Sequence, residues 1–334
     1  MDRLRQAVCV RSPTQRDVTR NFVTECVATA FGPEAGVEQA CPLSGGSFGS
    51  VWRVDLADGR RTALKISAVS GARLLAYERG MLREEANYLR LVADQAPDVP
   101  TPRLLFESDD WLFMTLLPGV PMPCLPPGTD TTRVREECGA AFARLHRVSG
   151  EFFGYTGDRP RAATWPDALL AMIDALLDDA VTSDVPLPVP PTAIRGVYEA
   201  HRGVLATVST PTLVHFDLWD GNVLVTIDGE GDAHLSGFVD GERYFYGDPL
   251  VDFCSPALFE DILAEPEHPF LRGYARATPL SVDDDLHRRL WLCRLYLYLI
   301  MLIEFPSRGK TPETDPDTWH RVRALVIDLV GRLS

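Results

Sequence analysis

The chain has 334 residues, 46% of them hydrophobic and 24% charged, with 33 basic against 47 acidic side chains and a formal net charge of −14. This length predicts about two domains or lobes, and the hydrophobic fraction is sufficient for a substantial core. The acidic balance disfavours a nucleic-acid partner, which needs a basic surface, and is compatible with a small cationic one.

The cysteines and the apolar stretches bear on where the protein works. Seven cysteines are scattered without a C-x-x-C pair, which disfavours a disulfide framework or a zinc site and favours reduced thiols. The N-terminus lacks the apolar segment of a signal peptide. The most apolar late stretch, residues 290–305, is interrupted by Arg294 and Glu304 and is too short to span a bilayer. We therefore expect a cytoplasmic protein without a membrane partner, and we interpret this stretch as a core helix.

The first predicted elements are a helix and a sheet that contains a glycine-rich turn. Residues 14–31 have helical apolar spacing, with a capping-box-like pattern that begins at Thr14. Small residues cluster at 43–50 between two strand-like segments. The next strand, residues 61–67, follows an Asp-Gly hairpin signal and carries Lys65. Exposed backbone N–H groups in such a turn, with a lysine on the adjacent strand, are suited to holding phosphate groups.

A long helix and two further strands complete the predicted N-terminal part. Residues 74–93 keep helical spacing. On this helix, Glu85 is the acid whose position best suits a pair with Lys65. Two more strands are predicted at 103–106 and 111–116, joined by a Ser-Asp-Asp turn. Together these patterns predict a five-stranded antiparallel sheet with one main helix.

The remainder of the chain is predicted to be mostly helical. The sequence Leu-Pro-Gly at 117–119 breaks the strand pattern and is followed by several prolines, which indicates a hinge. We therefore predict an α+β fold with two lobes: an N-terminal lobe with a helical extension over 1–117, and a mostly helical lobe over 118–334. The helices predicted in the second lobe are 131–148, 165–181, 193–208, about 256–264, 267–277, 283–305 and 317–333.

Residues 214–225 read Val-His-Phe-Asp-Leu-Trp-Asp-Gly-Asn-Val-Leu-Val and place polar side chains between two apolar, strand-like segments. Buried polar groups need partners, so such a stretch is costly unless it has a function. Asp217 and Asn222 have the spacing of a kinase catalytic loop, in which the aspartate accepts the proton of a substrate hydroxyl and the asparagine holds magnesium. Asp240 follows the next short apolar strand and offers a third oxygen ligand.

These motifs, taken in chain order, resemble the aminoglycoside phosphotransferase family, the small-molecule branch of the protein-kinase-like fold. The resemblance lies in residues 214–225, in the Val-Asp-Gly-Glu segment at 239–242 and in the Gly-Asp-Pro segment at 247–249, and it covers roughly residues 41–305. Protein kinases differ, because Phe216 occupies their arginine position and no Ala-Pro-Glu segment follows. A protein kinase is therefore disfavoured.

The resemblance implies binding of ATP or GTP with Mg²⁺ and transfer of the γ-phosphate to a hydroxyl group. It implies that residues 1–117 form the nucleotide-binding lobe and that residues 118–334 carry the catalytic loop and the substrate site. It implies that Asp217 is the base, with Asn222 and Asp240 as oxygen ligands suited to magnesium. His215 would brace the catalytic loop rather than react. The residues implied around the nucleotide are Ser47, Phe48 and Gly49 over the phosphates, Lys65 and Glu85 beside them, and Thr115 and Leu117 at the purine; Asp248 and Asp252 would hold the loop backbone.

The resemblance implies that the acceptor is a small molecule with a hydroxyl group, and the sequence leaves its identity open. A cationic antibiotic such as an aminoglycoside would need acids near Asp217, for which the candidates are Asp220, Glu242, Glu260 and Asp261. A ketosamine, sugar or amino alcohol is the alternative acceptor, because the Asp-Leu-Trp run also resembles ketosamine-kinase relatives. A third hypothesis is a catalytically inactive nucleotide-binding protein, which the presence of the complete lysine, base and metal-ligand set disfavours.

Overall fold

The computed structural model describes residues 13–43, 48–69 and 71–334. The N-terminal lobe, from α1 to β5, is built around one sheet in which every neighbouring pair is antiparallel, in the order β1-β2-β3-β5-β4. This five-stranded sheet confirms the prediction. Its elements are α1 (Arg20–Phe31), β1 (Val37–Leu43), β2 (Ser50–Leu56), β3 (Arg61–Ile66), α2 (Met81–Gln95), β4 (Leu104–Glu107) and β5 (Trp111–Thr115).

Both helices predicted for the N-terminal lobe begin later than expected. The first begins at Arg20, because the Thr19 side chain accepts a hydrogen bond from the N–H of Phe22 and caps the helix there. The Thr14 hydroxyl instead donates to the carbonyl of Phe48 at 2.8 Å. The second begins at Met81, preceded by a 3₁₀ turn, because Gly80 has a left-handed φ of +72° that interrupts the helical path.

Alternation along β3 determines which way Lys65 points. Leu64 and Ile66 belong to the apolar cluster that includes Val23 and Val27 of α1. Ala63, two residues from the lysine, packs instead in the cluster that contains the buried residues of α2. Because successive side chains of a strand lie on opposite faces, Lys65 points away from α1 and towards α2 and the second lobe.

The C-terminal lobe, from β6 to α9, combines long helices with two small sheets. A three-stranded sheet has the order β11-β10-β6, and a four-stranded sheet has the order β8-β7-β12-β9. Its elements are β6 (Val120–Pro121), α3 (Thr132–Leu145), β7 (Phe153–Gly154), β8 (Arg161–Ala162), α4 (Trp165–Thr182), α5 (Pro191–Ala200), α6 (Arg202–Leu205), β9 (Thr212–Val214), β10 (Val223–Ile227), β11 (Ala233–Phe238), β12 (Phe245–Gly247), α7 (Pro269–Ala275), α8 (Asp284–Ile303) and α9 (Pro316–Leu333).

One predicted helix of this lobe is wrong. Over residues 256–264 the structure has only a 3₁₀ turn, Ile262–Ala264. Phe259 has a left-handed φ of +74°, which an α-helix cannot contain. The helix predicted at 193–208 is also divided into α5 and α6, with His201 between them.

The predicted hinge is paired directly to β10, the strand that follows the Asp217–Asn222 segment. Val120 pairs with Val225 and Pro121 with Leu224, so β6 forms an edge of the β10–β11 hairpin. Gly119 has a φ of +96°, and a Cβ there would lie 2.3 Å from the Val225 carbonyl oxygen. Only glycine therefore permits this close approach. The boundary between residues 117 and 118 remains a prediction.

The helix α8 forms much of the core of the C-terminal lobe. From Leu292 to Ile300 all of its side chains are buried, as expected of a helix that is apolar on nearly all sides. This confirms the core helix predicted for the apolar stretch. Across the part of the chain that the structure describes, we find no helix with the length and apolarity needed to cross a membrane.

Candidate active site

The loop that joins β9 to β10 makes a sharp turn held by hydrogen bonds to one carboxylate. Phe216 has a φ of +69°, which is costly for a large side chain. The buried Asp252 carboxylate accepts hydrogen bonds from the backbone N–H groups of His215 at 2.9 Å and Phe216 at 2.6 Å. His146 Nε2 lies 3.0 Å from the same carboxylate. These contacts fix the direction in which Asp217 leaves the turn.

His215 lies fully buried beneath this turn. Its Nδ1 accepts a hydrogen bond from the N–H of Asp217 at 3.3 Å, and its ring packs edge-on against Tyr88 with centroids 5.4 Å apart. These are the contacts of a bracing residue. Asp248, expected to hold backbone, accepts a hydrogen bond from the N–H of Leu250 at 3.1 Å.

The two predicted magnesium ligands lie side by side because of the β10–β11 hairpin. Val223 pairs with Phe238, and beyond this pair the Val239 N–H donates to the Asn222 carbonyl at 3.1 Å. The Asn222 side-chain Nδ2 donates to the Asp217 carbonyl at 2.9 Å, so its amide oxygen is not used in this hydrogen bond. Asp240 follows with a left-handed φ of +62°, a conformation that aspartate tolerates better than most residues.

Lys65 joins the N-terminal sheet to this hairpin. Its Nζ lies 2.8 Å from Asp240 Oδ1 and also pairs with the carboxylates of Glu85 and Glu242. The pairing with Glu85 is the one predicted from the sequence. Glu242, expected to face the acceptor, instead lies buried against Lys65. The reason is that Glu242 is in the 3₁₀ turn Gly241–Arg243, which packs against α2.

The charges in this cluster affect one another strongly. Burial alone would lower the pKa of Lys65, but the carboxylates of Asp240, Glu242 and Glu85 raise it well above its ordinary value. Burial raises the pKa of Glu85 well above its ordinary value, against the opposing effect of Lys65. Burial also opposes ionisation of Glu242, yet the Lys65 ammonium lowers its pKa to about 2. Glu85 is therefore the carboxylate of this pair that accepts a proton more readily.

Asp217 lies close enough to this cluster to be influenced by the charge of Asp240, and 24% of its side chain is exposed. Burial, together with the nearby negative charges of Asp240 and Glu304, raises its pKa above the ordinary aspartate value, while Arg243 and His215 act in the opposite direction. Arg243 Nε lies 3.6 Å from Asp217 Oδ2. A carboxylate with a raised pKa is a stronger base than an ordinary aspartate.

The described part of the glycine-rich loop lies next to β3. A Cβ at Gly49 would lie 2.8 Å from the carbonyl oxygen of Ile66, so a glycine is required for the loop to lie this close. Phe48 is half-buried and its carbonyl accepts the hydrogen bond from Thr14. Ser47, predicted to share the phosphate cover, is outside the described residues.

The two residues predicted at the purine lie where β5 runs into the hinge. The Thr115 N–H donates to the Arg103 carbonyl at 2.9 Å. Leu117 lies over Gly237 of β11, where an added Cβ would lie 2.8 Å from Leu117 Cδ1. Leu117 therefore borders the strand that leads to Asp240.

Two of the remaining acids predicted to face the acceptor have arginine partners within the C-terminal lobe. Asp220 Oδ2 lies 2.7 Å from Arg135 Nη2. Asp261 Oδ2 lies 3.2 Å from Arg294 Nη1 and accepts a hydrogen bond from the Trp291 indole at 2.9 Å. Glu260 is exposed on the surface. The acids chosen from the sequence thus do not form one open anionic wall.

The donor atoms near Asp240 fit a magnesium ion. The amide oxygen of Asn222 and the carboxylate of Asp240 are hard oxygen ligands of the kind that Mg²⁺ prefers. Carboxylate oxygens of Glu85, Asp240 and Glu242 also lie within 4.8 Å of one another, but the Lys65 ammonium stands among them. We therefore expect Asn222 and Asp240, and not the three carboxylates around Lys65, to be the residues that would hold the ion.

Three charged residues that form one group extending from Asp217 were missed by the sequence reasoning: Arg243, Glu304 and Arg308. Arg243 Nη2 lies 3.2 Å from Glu304 Oε2, and Arg308 Nη2 lies 2.9 Å from the same oxygen. A usable signal was present at Glu304, because a charge that interrupts an apolar helix needs a buried partner. Arg243 directly follows the Val-Asp-Gly-Glu segment, but no spacing rule ties it to Asp217.

Three solved structures that resemble the chain are named as kinases or phosphotransferases of small molecules. A Thermobifida fusca protein described as a candidate fructosamine-3-kinase has a TM-score of 0.70 at 21% identity, covering 94% of this chain and 99% of that one. The gentamicin complex of APH(2″)-IIa has a TM-score of 0.59 at 16% identity, covering 95% and 96%. Macrolide 2′-phosphotransferase MphH from Brachybacterium faecium has a TM-score of 0.55 at 17% identity, covering 92% and 97%. At these identities the likeness shows the fold alone.

No curated protein matches the chain in sequence. The model of the phosphotransferase enzyme family, APH, matches residues 39–290, which is well over half of the 334 residues. This span contains nearly all of the five-stranded sheet, Lys65, the catalytic loop and Asp240. The chain therefore belongs to the APH phosphotransferase enzyme family, as its motifs predicted.

Proposed function

We propose that the protein transfers the γ-phosphate of ATP or GTP to a hydroxyl group of a small molecule. The observation that carries this proposal is the contact between lobes, in which Lys65 Nζ lies 2.8 Å from Asp240 Oδ1. Asp240 stands beside Asn222 and is close enough to Asp217 to affect its pKa. A lysine, two oxygen ligands and a carboxylate base close to one another are the groups that phosphoryl transfer needs.

In this mechanism Asp217 orients the acceptor hydroxyl and accepts its proton. The hydroxyl oxygen forms a bond to the γ-phosphorus as the bond to the bridging oxygen breaks, and the nucleoside diphosphate leaves. Lys65 pairs with the inner phosphates and is held by Glu85. When bound, Mg²⁺ would neutralise phosphate charge, with Asn222 and Asp240 as its protein ligands. The six described cysteines are free thiols, which suits the cytoplasm, where we place the reaction.

The leading acceptor is an aminoglycoside or another antibiotic, so that the protein would act as a resistance kinase. Its family membership supports this choice, and gentamicin and macrolides are named for two of the proteins that share its fold. Phosphorylation of a drug hydroxyl would be expected to add negative charge and bulk where the drug meets its target.

A metabolic or biosynthetic acceptor, such as a ketosamine, a sugar or an amino alcohol, is the second candidate. The observation that favours it is the internal pairing of Asp220 with Arg135, Asp261 with Arg294, and Glu242 with Lys65. A polycationic drug binds best to carboxylates that have no cation of their own. Acids that are already paired suit an acceptor with little positive charge.

A panel of acceptors that differ in charge tests the proposal and separates the two candidates. We would measure nucleoside diphosphate release in a coupled assay with ATP and with GTP, using gentamicin, a macrolide, a ketosamine and a neutral sugar. Acceptor-dependent release that is absent in Asp217→Asn supports phosphoryl transfer. Preference for gentamicin, with a KM that rises steeply with salt, supports the drug acceptor.

Growth of a drug-sensitive bacterium that expresses the gene, on plates with graded drug, separates resistance from metabolism.

The inactive-kinase hypothesis makes a different prediction. It expects a nucleotide-dependent rise in melting temperature without phosphate transfer to any acceptor of the panel, and that result would remove the proposed activity.

A further inference from the structure

A buried arginine from the C-terminal lobe reaches Phe48, which with Gly49 forms the described end of the glycine-rich loop; these two residues are called the phosphate-covering loop below. Arg308 lies in the 3₁₀ turn Pro306–Arg308 that follows α8, beyond the span matched by the family model. Its guanidinium is 2.5 Å from Glu78 Oε1 and 2.9 Å from Glu304 Oε2, and its side chain is 4% exposed. The guanidinium carbon also lies 5.1 Å from the ring centroid of Phe48.

The loop is held on its other side by the N-terminal segment. The carbonyl of Phe48 accepts from the Thr14 hydroxyl at 2.8 Å, and the carbonyl of Gly49 accepts from Gln15 Nε2 at 3.2 Å. The turn after Arg308 packs against this segment, because a Cβ on Gly309 would lie 2.8 Å from Pro13 Cδ. Two distant parts of the chain therefore meet at the loop.

The same group of charges extends to the proposed base. Glu304 Oε2 accepts from Arg243 Nη2 at 3.2 Å and from the Tyr77 hydroxyl at 2.9 Å. Arg243 Nε in turn lies 3.6 Å from Asp217 Oδ2. One carboxylate thus lies between the arginine at the phosphate cover and the arginine at the base.

We propose that Arg308 is a positioning residue that fixes the phosphate-covering loop through Phe48, and that Glu304 sets its position. This inference rests on the proposed function. Arg308 Nη2 pairs with both carboxylates, and the guanidinium carbon lies 5.1 Å from the centroid of the Phe48 ring. A lysine keeps the positive charge, but its compact ammonium lacks the planar group that arginine brings to the ring. Desolvation strengthens the contact with the ring, because water does not compete for the guanidinium.

The test compares Phe48→Leu, Arg308→Lys and the double variant with wild type. Phe48→Leu removes the ring at a half-buried position, and Arg308→Lys keeps the positive charge that Glu78 and Glu304 need, so both variants are expected to fold. Arg332→Met is the control, because Arg332 pairs with Asp328 on the exposed face of α9. Nucleotide affinity is measured by equilibrium titration with a fluorescent ATP analogue and Mg²⁺, without acceptor. The KM values for nucleotide and acceptor are then measured in a steady-state assay.

We expect each single variant to bind nucleotide about fivefold to thirtyfold more weakly, with the acceptor KM unchanged. The double variant should be no weaker than the more affected single variant, because both changes remove the same contact. Unchanged nucleotide affinity, or effects that multiply in the double variant, would overturn the proposed role of Arg308. Failure of wild type to bind nucleotide would instead remove the proposed function itself, and the two failures are therefore distinguishable.

Discussion

Replacement of Lys65 by methionine removes the ammonium that stands among Glu85, Asp240 and Glu242 and keeps a side chain of similar length. Lys65 is 4% exposed, and removal of one partner from a buried ion pair costs about 3–5 kcal/mol of unfolding free energy. The partly exposed Asp240 can rehydrate, so the cost comes mainly from the two buried glutamates. We expect the Lys65→Met variant to lose stability within that range at neutral pH, and to lose nucleotide binding.

The sequence offers a matched control, because Lys65 and Lys310 are its two lysines. Lys310 is 48% exposed and makes one ion pair, with Asp315 at 3.0 Å. A surface ion pair of this kind contributes about 0–1 kcal/mol to the unfolding free energy. Lys310→Met should therefore leave both the unfolding free energy and nucleotide binding nearly unchanged.

The loss in Lys65→Met should also depend on pH with a defined sign. Without the ammonium, the pKa of the buried carboxylates rises above the unfolded value, so the destabilisation is complete above the folded pKa and disappears as pH falls and the carboxylates take up protons. Glu85, whose pKa is already raised, should accept the first proton. Lys65→Met/Glu85→Gln should consequently recover part of the lost stability at neutral pH.

Urea titration followed by tryptophan fluorescence, at neutral and mildly acidic pH, measures these free energies. Equal losses for Lys65→Met and Lys310→Met would refute the assignment of a buried charge cluster. A loss that grows as pH falls would refute the sign of the linkage.

Three further predictions concern Asp252, which holds the turn before Asp217, Gly49 of the glycine-rich loop, and the proposed base Asp217. Asp252→Ala leaves two buried N–H groups without acceptors. Each such group costs about 1–3 kcal/mol of unfolding free energy, so chemical denaturation should show a loss at least as large as one of these costs. Gly49→Ala forces a Cβ against the Ile66 carbonyl and should raise the nucleotide KM while leaving the acceptor KM unchanged. The raised pKa of Asp217 predicts that kcat/KM falls with decreasing pH at a midpoint above that of an ordinary aspartate. Arg243→Met removes a positive charge, so this midpoint should move to higher pH; a shift to lower pH would contradict the assignment.

Much of the site was predictable because its residues are placed by short-range patterns. The alternation of β3 directs Lys65 away from α1, and the position of Glu85 in α2 brings it to the lysine. The motif at Asp217 and Asn222 lies within one turn between β9 and β10. Local spacing determines each of these positions, so the sequence alone identified them.

The rest depends on contacts between residues far apart in the chain. Arg243 and Glu304 are separated by 61 positions, and the contact of Arg308 with Phe48 spans most of the chain. No periodicity records such contacts. The predicted helix at 256–264 failed for a different reason, because the left-handed backbone at Phe259 follows from its tertiary surroundings and not from apolar spacing.

The most direct test of phosphoryl transfer in this cleft is a single-turnover measurement with γ-labelled nucleotide on wild type and Asp217→Asn. Asparagine keeps the shape of aspartate and cannot accept the proton. We predict transfer to the acceptor at least about 10²-fold slower in the variant, with nucleotide bound as tightly as by wild type. Near-normal transfer in Asp217→Asn would contradict the account.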